Sequence, residues 1–107
     1  YNNALRRIPR EMLRSYELTV ILDPNIQEDD VPQTMERLTA LIEKSGAEIK
    51  EVNHWGRRRL SYPIEHHAEG NYVLFRLELE ASRTKELQSS LNVFEGCLRH
   101  MLMRIGD

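Results

Sequence analysis

From Ser15 onward the chain alternates apolar and polar side chains. In SYELTVILDPN, Tyr16, Leu18, Val20 and Leu22 alternate with Glu17 and Thr19, which predicts a strand with one face on a core. The additional apolar residue Ile21 predicts burial on both faces near the strand's end, and Asp23-Pro24-Asn25 supplies the turn that closes it. The period then changes. Over EDDVPQTMERLTALIEKSGAE, Val31, Met35, Leu38, Leu41 and Ile42 recur at helical spacing. Asp30 suits the N-cap, Pro32 the first turn, Lys44 the last turn and Gly46 the stop.

AEIKEVNHWGRRRLSYPI predicts a long strand with an irregularity, because Ile49 and Val52 do not share a face under strict alternation. Gly56 marks a bulge or bend. Beyond it, Leu60, Tyr62 and Ile64 are expected to face the core, with Arg57, Arg59 and Ser61 facing away. Pro63 cannot donate to a ladder, which predicts a sheet edge. A loop over 65–70 leads to the most regular strand, where Val73, Phe75, Leu77 and Leu79 face the core. A second helix is expected with Ser82 as N-cap, Leu87, Leu91 and Phe94 on its apolar stripe and Gly96 as its stop. CLRHMLMRI closes the pattern as a fourth strand.

The resulting order is β-α-β-β-α-β. Two right-handed crossovers with both helices on one face of a four-stranded antiparallel sheet make an α+β, ferredoxin-like split fold. That topology supports many functions and names none.

The 107 residues, 40% of them hydrophobic, suffice for one domain with a modest core. With 30% charged residues, the chain contains no apolar run approaching the roughly 20 residues of a membrane helix, so no membrane partner is expected. Cys97 stands alone and cannot form an internal disulfide, as suits a reducing compartment. The first residues carry Arg6, Arg7, Arg10 and Arg14 without the apolar stretch of a secretory signal.

Catalytic and metal chemistry find little support. A helix N-terminus after the first strand would attract an anion. Here its approach, residues 23–30, holds Asp23, Glu28, Asp29 and Asp30 and no glycine, which disfavours an acylphosphatase-type enzyme and a phosphorylated small-molecule substrate. The four histidines, His54, His66, His67 and His100, show no metal-ligand spacing among themselves or with Cys97, so neither metal nor cofactor is expected. No Ser-His-Asp or Cys-His pairing has support from the sequence.

The informative stretch is HWGRRRLSYPIEHH. Arg57, Arg58 and Arg59 are consecutive in a chain of net charge −2. On an edge strand such a run is ordinarily a solvated face that discourages edge-to-edge association. Three features favour a binding role instead. All three cations are arginines, whose planar fork matches phosphate. Trp55 adjoins them and can stack on a base or lie against a protein. Arg14, Arg99 and Arg104 fall on the first and fourth strands, which this topology makes neighbours, while the acidic residues gather on the first helix and its entry loop. Tyr72 is on the exposed face of the third strand, but no G-F/Y-G/A-F element of the sheet-face RNA readers is present. Exposed Leu74 suggests a protein partner on that face.

GRRRLSYPI, residues 56–64, resembles the signature of the bacterial-type small ribosomal subunit protein six family: a glycine, a basic pair, Leu, Ser or Ala, Tyr, a residue that is often Pro, and Ile. SYELTVILDPN and LRHMLMR are similar to that family's first and last strands, and the likeness runs from about Met12 to Ile105. The resemblance implies a structural, non-enzymatic constituent of the small subunit on a cytoplasmic ribosome. It further implies binding to central-domain rRNA in company with small-subunit protein eighteen. It maps the signature's basic positions to Arg57, Arg58 and Arg59 and the basic residue before the Tyr-Glu pair to Arg14. Trp55, Arg99 and Arg104 complete the candidate RNA- or partner-facing set. Glu65 departs from the family's usual basic or small residue, and residues 1–11, which lack a counterpart in the short bacterial form, are expected to be an extension before a domain at 12–107. That extension leaves an organellar ribosome open. The alternative from another class is a ferredoxin-like regulatory module that dimerises through its open sheet face and binds a small molecule.

Overall fold

The computed structural model describes residues 9–64 and 66–106. Six main elements follow in order: β1 (Leu13–Leu22), α1 (Val31–Lys44), β2 (Glu48–Ile64), β3 (His67–Glu80), α2 (Thr84–Asn92) and β4 (Cys97–Ile105). The strands form one sheet in the order β2-β3-β1-β4, with each adjacent pair antiparallel. This is the split arrangement expected from the sequence. β1 is central, and β2 and β4 are the edges.

The core lies between the sheet and the two helices. Tyr16, Leu18, Val20 and Leu22 of β1 and Val73, Phe75, Leu77 and Leu79 of β3 bury against Leu38, Ile42, Leu87 and Leu91 of the helices. Alternation along the two central strands delivers the sheet half of this core, and helical spacing delivers the other half. Gly46 leaves α1 with φ +101°, a conformation that disfavours any residue with a Cβ.

Several local expectations change. Asp30 makes no side-chain cap, because Glu28–Asp30 forms a short 3₁₀ turn whose last carbonyl accepts the Thr34 hydroxyl at 3.0 Å. Ser82 likewise sits inside a 3₁₀ turn, Ala81–Arg83, and its hydroxyl turns to Glu80. α2 stops at Asn92; Gly96, at φ +98°, steers the chain into β4 instead of ending the helix. The anticipated loop over 65–70 is much shorter, since Ile64 already pairs with His67.

β2 carries the most consequential irregularities. Register shifts at Lys50 and at Trp55 each admit an extra residue. The first brings Ile49 and Val52 opposite Leu77 and Phe75, so the two apolar residues share the core-facing side after all. A third break is wider: the ladder passes from Arg59↔Glu69 to Ile64↔His67, leaving residues 60–63 facing only Ala68. That slack frees Leu60 and Tyr62 from the strict alternation assumed from the sequence. Neither joins the main core. Leu60 is 8% exposed but packs at Gly70 beside Ile21, and Tyr62 is 56% exposed.

Candidate nucleic-acid interface

Ile21 organises this end of the sheet. Its neighbours Val20 and Leu22 point into the helix-side core, so Ile21 points to the helix-free face, opposite Tyr72 on β3 and Arg99 on β4. Only 7% of it is exposed, because Leu60 closes over it beside Gly70. The burial on both faces inferred for the end of β1 thus comes from a second, small apolar contact made by the β2–β3 hairpin.

The three consecutive arginines stand in regular pairing with β3: Arg57 opposite Asn71, Arg58 opposite Gly70 and Arg59 opposite Glu69. Alternation sends Arg58 to the helix-free face and its two neighbours to the other. Arg57 is engaged internally: its Nη1 lies 3.2 Å from Glu69 Oε1 and its Nη2 donates to the Pro24 carbonyl at 2.9 Å. Arg58 places its guanidinium 5.9 Å from the Trp55 ring centroid. Trp55 in turn lies nearly parallel to Tyr72, centroid to centroid 6.5 Å. Among the described residues, neither Arg58 nor Arg59 has a carboxylate partner.

Arg99 joins this end of the sheet from β4. Its Nη1 donates to the Tyr62 hydroxyl, and its guanidinium lies 5.9 Å from the Tyr62 ring centroid. Arg14 and Arg104 do not join. They line a shallow hollow with Met12 and Ser82 at the opposite end, where Arg14 donates to the Glu11 and Leu13 carbonyls at 2.9 and 3.0 Å. Ile21 lies seven residue steps beyond Arg14 along β1, a span of roughly 23 Å. The arginines therefore form two groups rather than one convergent patch.

Between these ends the helix-free face carries charges in contact with opposite ones and is partly apolar. Arg76 stands 3.9 Å from Glu17, and Lys50 lies between Glu48 and Glu78. Met101 and Met103 are about half exposed beside Thr19 and Glu17, as is Trp55. An uncovered sheet face with large apolar side chains and few free charges suits a protein partner better than a polyanion.

The remaining chemistry is sparse. No group of three or more metal-ligating side chains occurs among the described residues. The hollow at the entrance to α1, about 500 Å³, is lined by Asp23, Asp30 and Glu95 with Arg37. Such a lining opposes a phosphate. Burial pushes the Cys97 thiol up to about 11, so at neutral pH it is a protonated residue at the core's margin.

The matches with known proteins agree with this geometry. The family model described as Ribosomal protein S6 matches residues 15–104. The chain belongs to the ribosomal protein S6 family. It is 35% identical over 95 residues to small ribosomal subunit protein bS6 of Desulforamulus reducens, covering 89% of this chain and 100% of that one. The bS6 protein of Mycolicibacterium paratuberculosis is 41% identical over 92 residues, covering 86% and 96%. The crystal structure of 30S ribosomal protein S6 from Thermotoga maritima superposes with a TM-score of 0.80 at 26% identity, covering 87% and 88%. Members of this bacterial-type S6 family are structural ribosomal proteins with a cytoplasmic location on the small subunit, and the chain is not an enzyme. No helix among the described residues is long and apolar enough to cross a membrane.

Sequence reasoning found the arginine run, Trp55 and the edge position. It missed the Tyr62–Arg99 contact and the inward engagement of Arg57. Gly70 and Pro63 mark only a hairpin that departs from a regular ladder, and neither identifies these partners.

Proposed function

We propose that this S6-family chain binds central-domain rRNA of the small subunit together with small-subunit protein eighteen, through a domain at 12–107 preceded by an extension. The single observation that carries the reading is the pair Arg58 and Arg59. Two guanidinium groups without carboxylate partners among the described residues are held on a paired β hairpin, Arg58 beside a Trp-Tyr stack on the helix-free face and Arg59 on the opposite face. Cations presented on a rigid scaffold lose little side-chain freedom on meeting phosphates, and the counterions they release favour association.

In this reading Arg57, Arg58, Arg59, Trp55 and Arg99 make up the hairpin end of the interface, with Arg14 and Arg104 as a second contact at the far end. The helix-free face, with Leu74, Met101 and Met103, receives the protein partner. Phosphate contacts set the position of the protein and carry no base information.

The test is a salt series of binding to a central-domain rRNA junction fragment, with and without small-subunit protein eighteen. Tight binding with the partner present, falling steeply with salt, is the expected result. Binding absent in both conditions, with RNA and partner shown competent, overturns the reading. A stable homodimer by analytical ultracentrifugation would then favour the regulatory module that dimerises through the same face.

A further inference from the structure

We infer that Tyr62 and Arg99 form a clasp that holds the β2–β3 hairpin over the helix-free face and so positions Arg58 and Arg59; Arg99 is a positioning residue rather than a phosphate ligand. The inference rests on the RNA-binding reading above and assigns separate roles within its set of arginines.

Three independent features place the clasp. Residues 60–63 have slack, since they face only Ala68 on β3, and their path must be fixed by something other than ladder hydrogen bonds. Gly70 provides the seat: a Cβ there would stand 2.3 Å from Ile21 Cγ2 and 3.6 Å from Leu60 Cδ2. Glycine is the residue that lets Leu60 settle on Ile21. Arg99 lies directly opposite Ile21 on the next strand, and from there its guanidinium reaches Tyr62 by a donated hydrogen bond to the hydroxyl, 5.9 Å from the ring centroid. The clasp therefore ties β2 to β4, the two edges of the sheet, across the strands between them.

This contact occupies Arg99. A guanidinium that donates to the Tyr62 hydroxyl would give up that bond to bind a phosphate instead. Arg58 and Arg59, on the hairpin that the clasp holds, have no carboxylate to give up among the described residues. Preorganisation assigns the division of labour: fixing the hairpin before RNA arrives removes an ordering cost from the binding step.

The test compares Tyr62→Phe, Arg99→Ala and the double variant with the unsubstituted chain. Tyr62→Phe deletes only the hydroxyl of a mostly exposed residue, so it preserves the fold. Two readouts are taken: amide hydrogen exchange of the hairpin in the free protein, and affinity for the junction fragment across a salt series with small-subunit protein eighteen present. The clasp predicts that each single variant speeds hairpin exchange and weakens RNA binding about three- to tenfold, the scale of one ordinary net hydrogen bond. The double variant should do little more than either single one, and the slope of log affinity against log salt should stay at its original value. A slope reduced by about one in Arg99→Ala, with Tyr62→Phe unchanged in both readouts, makes Arg99 a phosphate ligand and overturns the proposal. If the unsubstituted chain binds no RNA, the function proposed above fails. Exchange then decides the clasp by itself, and unchanged exchange in both single variants would overturn it.

Discussion

Gly70 and Ile21 meet at the end of the sheet with no room for a methyl group between them: a Cβ on residue 70 would stand 2.3 Å from Ile21 Cγ2. One hydrogen atom at this point separates a hairpin that folds over the sheet from one that is pushed off it. Gly70→Ala should accordingly destabilise the protein by about 1–3 kcal/mol, the usual range for overpacking a tight site. Denaturant titration measures this. Because the obstruction is a side-chain methyl, Ile21→Ala in the Gly70→Ala background should cost less than Ile21→Ala alone.

Leu60 and Tyr62, two residues apart, should respond very differently to truncation. Leu60→Ala empties a contact that is 8% exposed and should cost about 2 kcal/mol, the low end for a Leu at the margin of a core. Tyr62→Ala removes a ring that is 56% exposed and should cost less than half as much in global unfolding. Thermal or urea denaturation of the two variants orders them. Equal losses would return Tyr62 to the core position that alternation suggested.

The arginine run divides in the same way. Arg58→Ala and Arg59→Ala should leave the unfolding midpoint within about 0.5 kcal/mol of the unsubstituted protein, as exposed substitutions do. Each should reduce the salt slope of RNA binding by about one. Arg57→Ala additionally severs the bond to the Pro24 carbonyl, which ties the hairpin to the loop before α1. Its expected mark is faster amide exchange in that loop, a change the other two should not produce.

His100 gives a dependence on pH. Its ring is opposite Val20 on the helix side of β4, with Nε2 2.8 Å from Asn92 Oδ1, and burial lowers its pKa below the ordinary value near 6.5. The unfolded chain therefore takes up this proton more readily than the folded one. Folding stability should rise as pH increases from the depressed folded value to about 6.5 and level off above it. Comparing the stability profile of His100→Gln with that of the unsubstituted chain isolates this contribution, which should be missing from the variant.

What the sequence made legible was whatever depends on period. β1 and β3 are flanked on both sides by partners, so their alternation survives into the structure residue by residue, and the element order then leaves few arrangements open. β2 was legible only as far as its first bulge. An edge strand has one partner, and its register can slip wherever a residue is accommodated by bulging, as at Lys50, Trp55 and residues 60–63. Each slip reverses the faces assigned beyond it. The helix starts differ for another reason: Asp30 does stand at the N-cap of α1 but makes no side-chain cap bond, and Ser82 is absorbed into a short 3₁₀ turn before α2. Within the candidate site, residue types were readable and partners were not. Nothing in the spacing of Tyr62 and Arg99, 37 residues apart, predicts that they touch.

The placement of β4 beside β1 bears on how the protein is made. Ser15 pairs with Ile105, so a central strand receives one of its two partners from residues 90 positions later in the chain. Until those residues emerge during synthesis, β1 has β3 on one side and open ladder groups on the other. The entropy of closing so long a loop grows only slowly with its length, but nothing local can substitute for the missing strand. A nascent chain therefore keeps an unpaired strand edge along β1 until Cys97–Ile105 has emerged, and that segment works as the closing piece of the sheet.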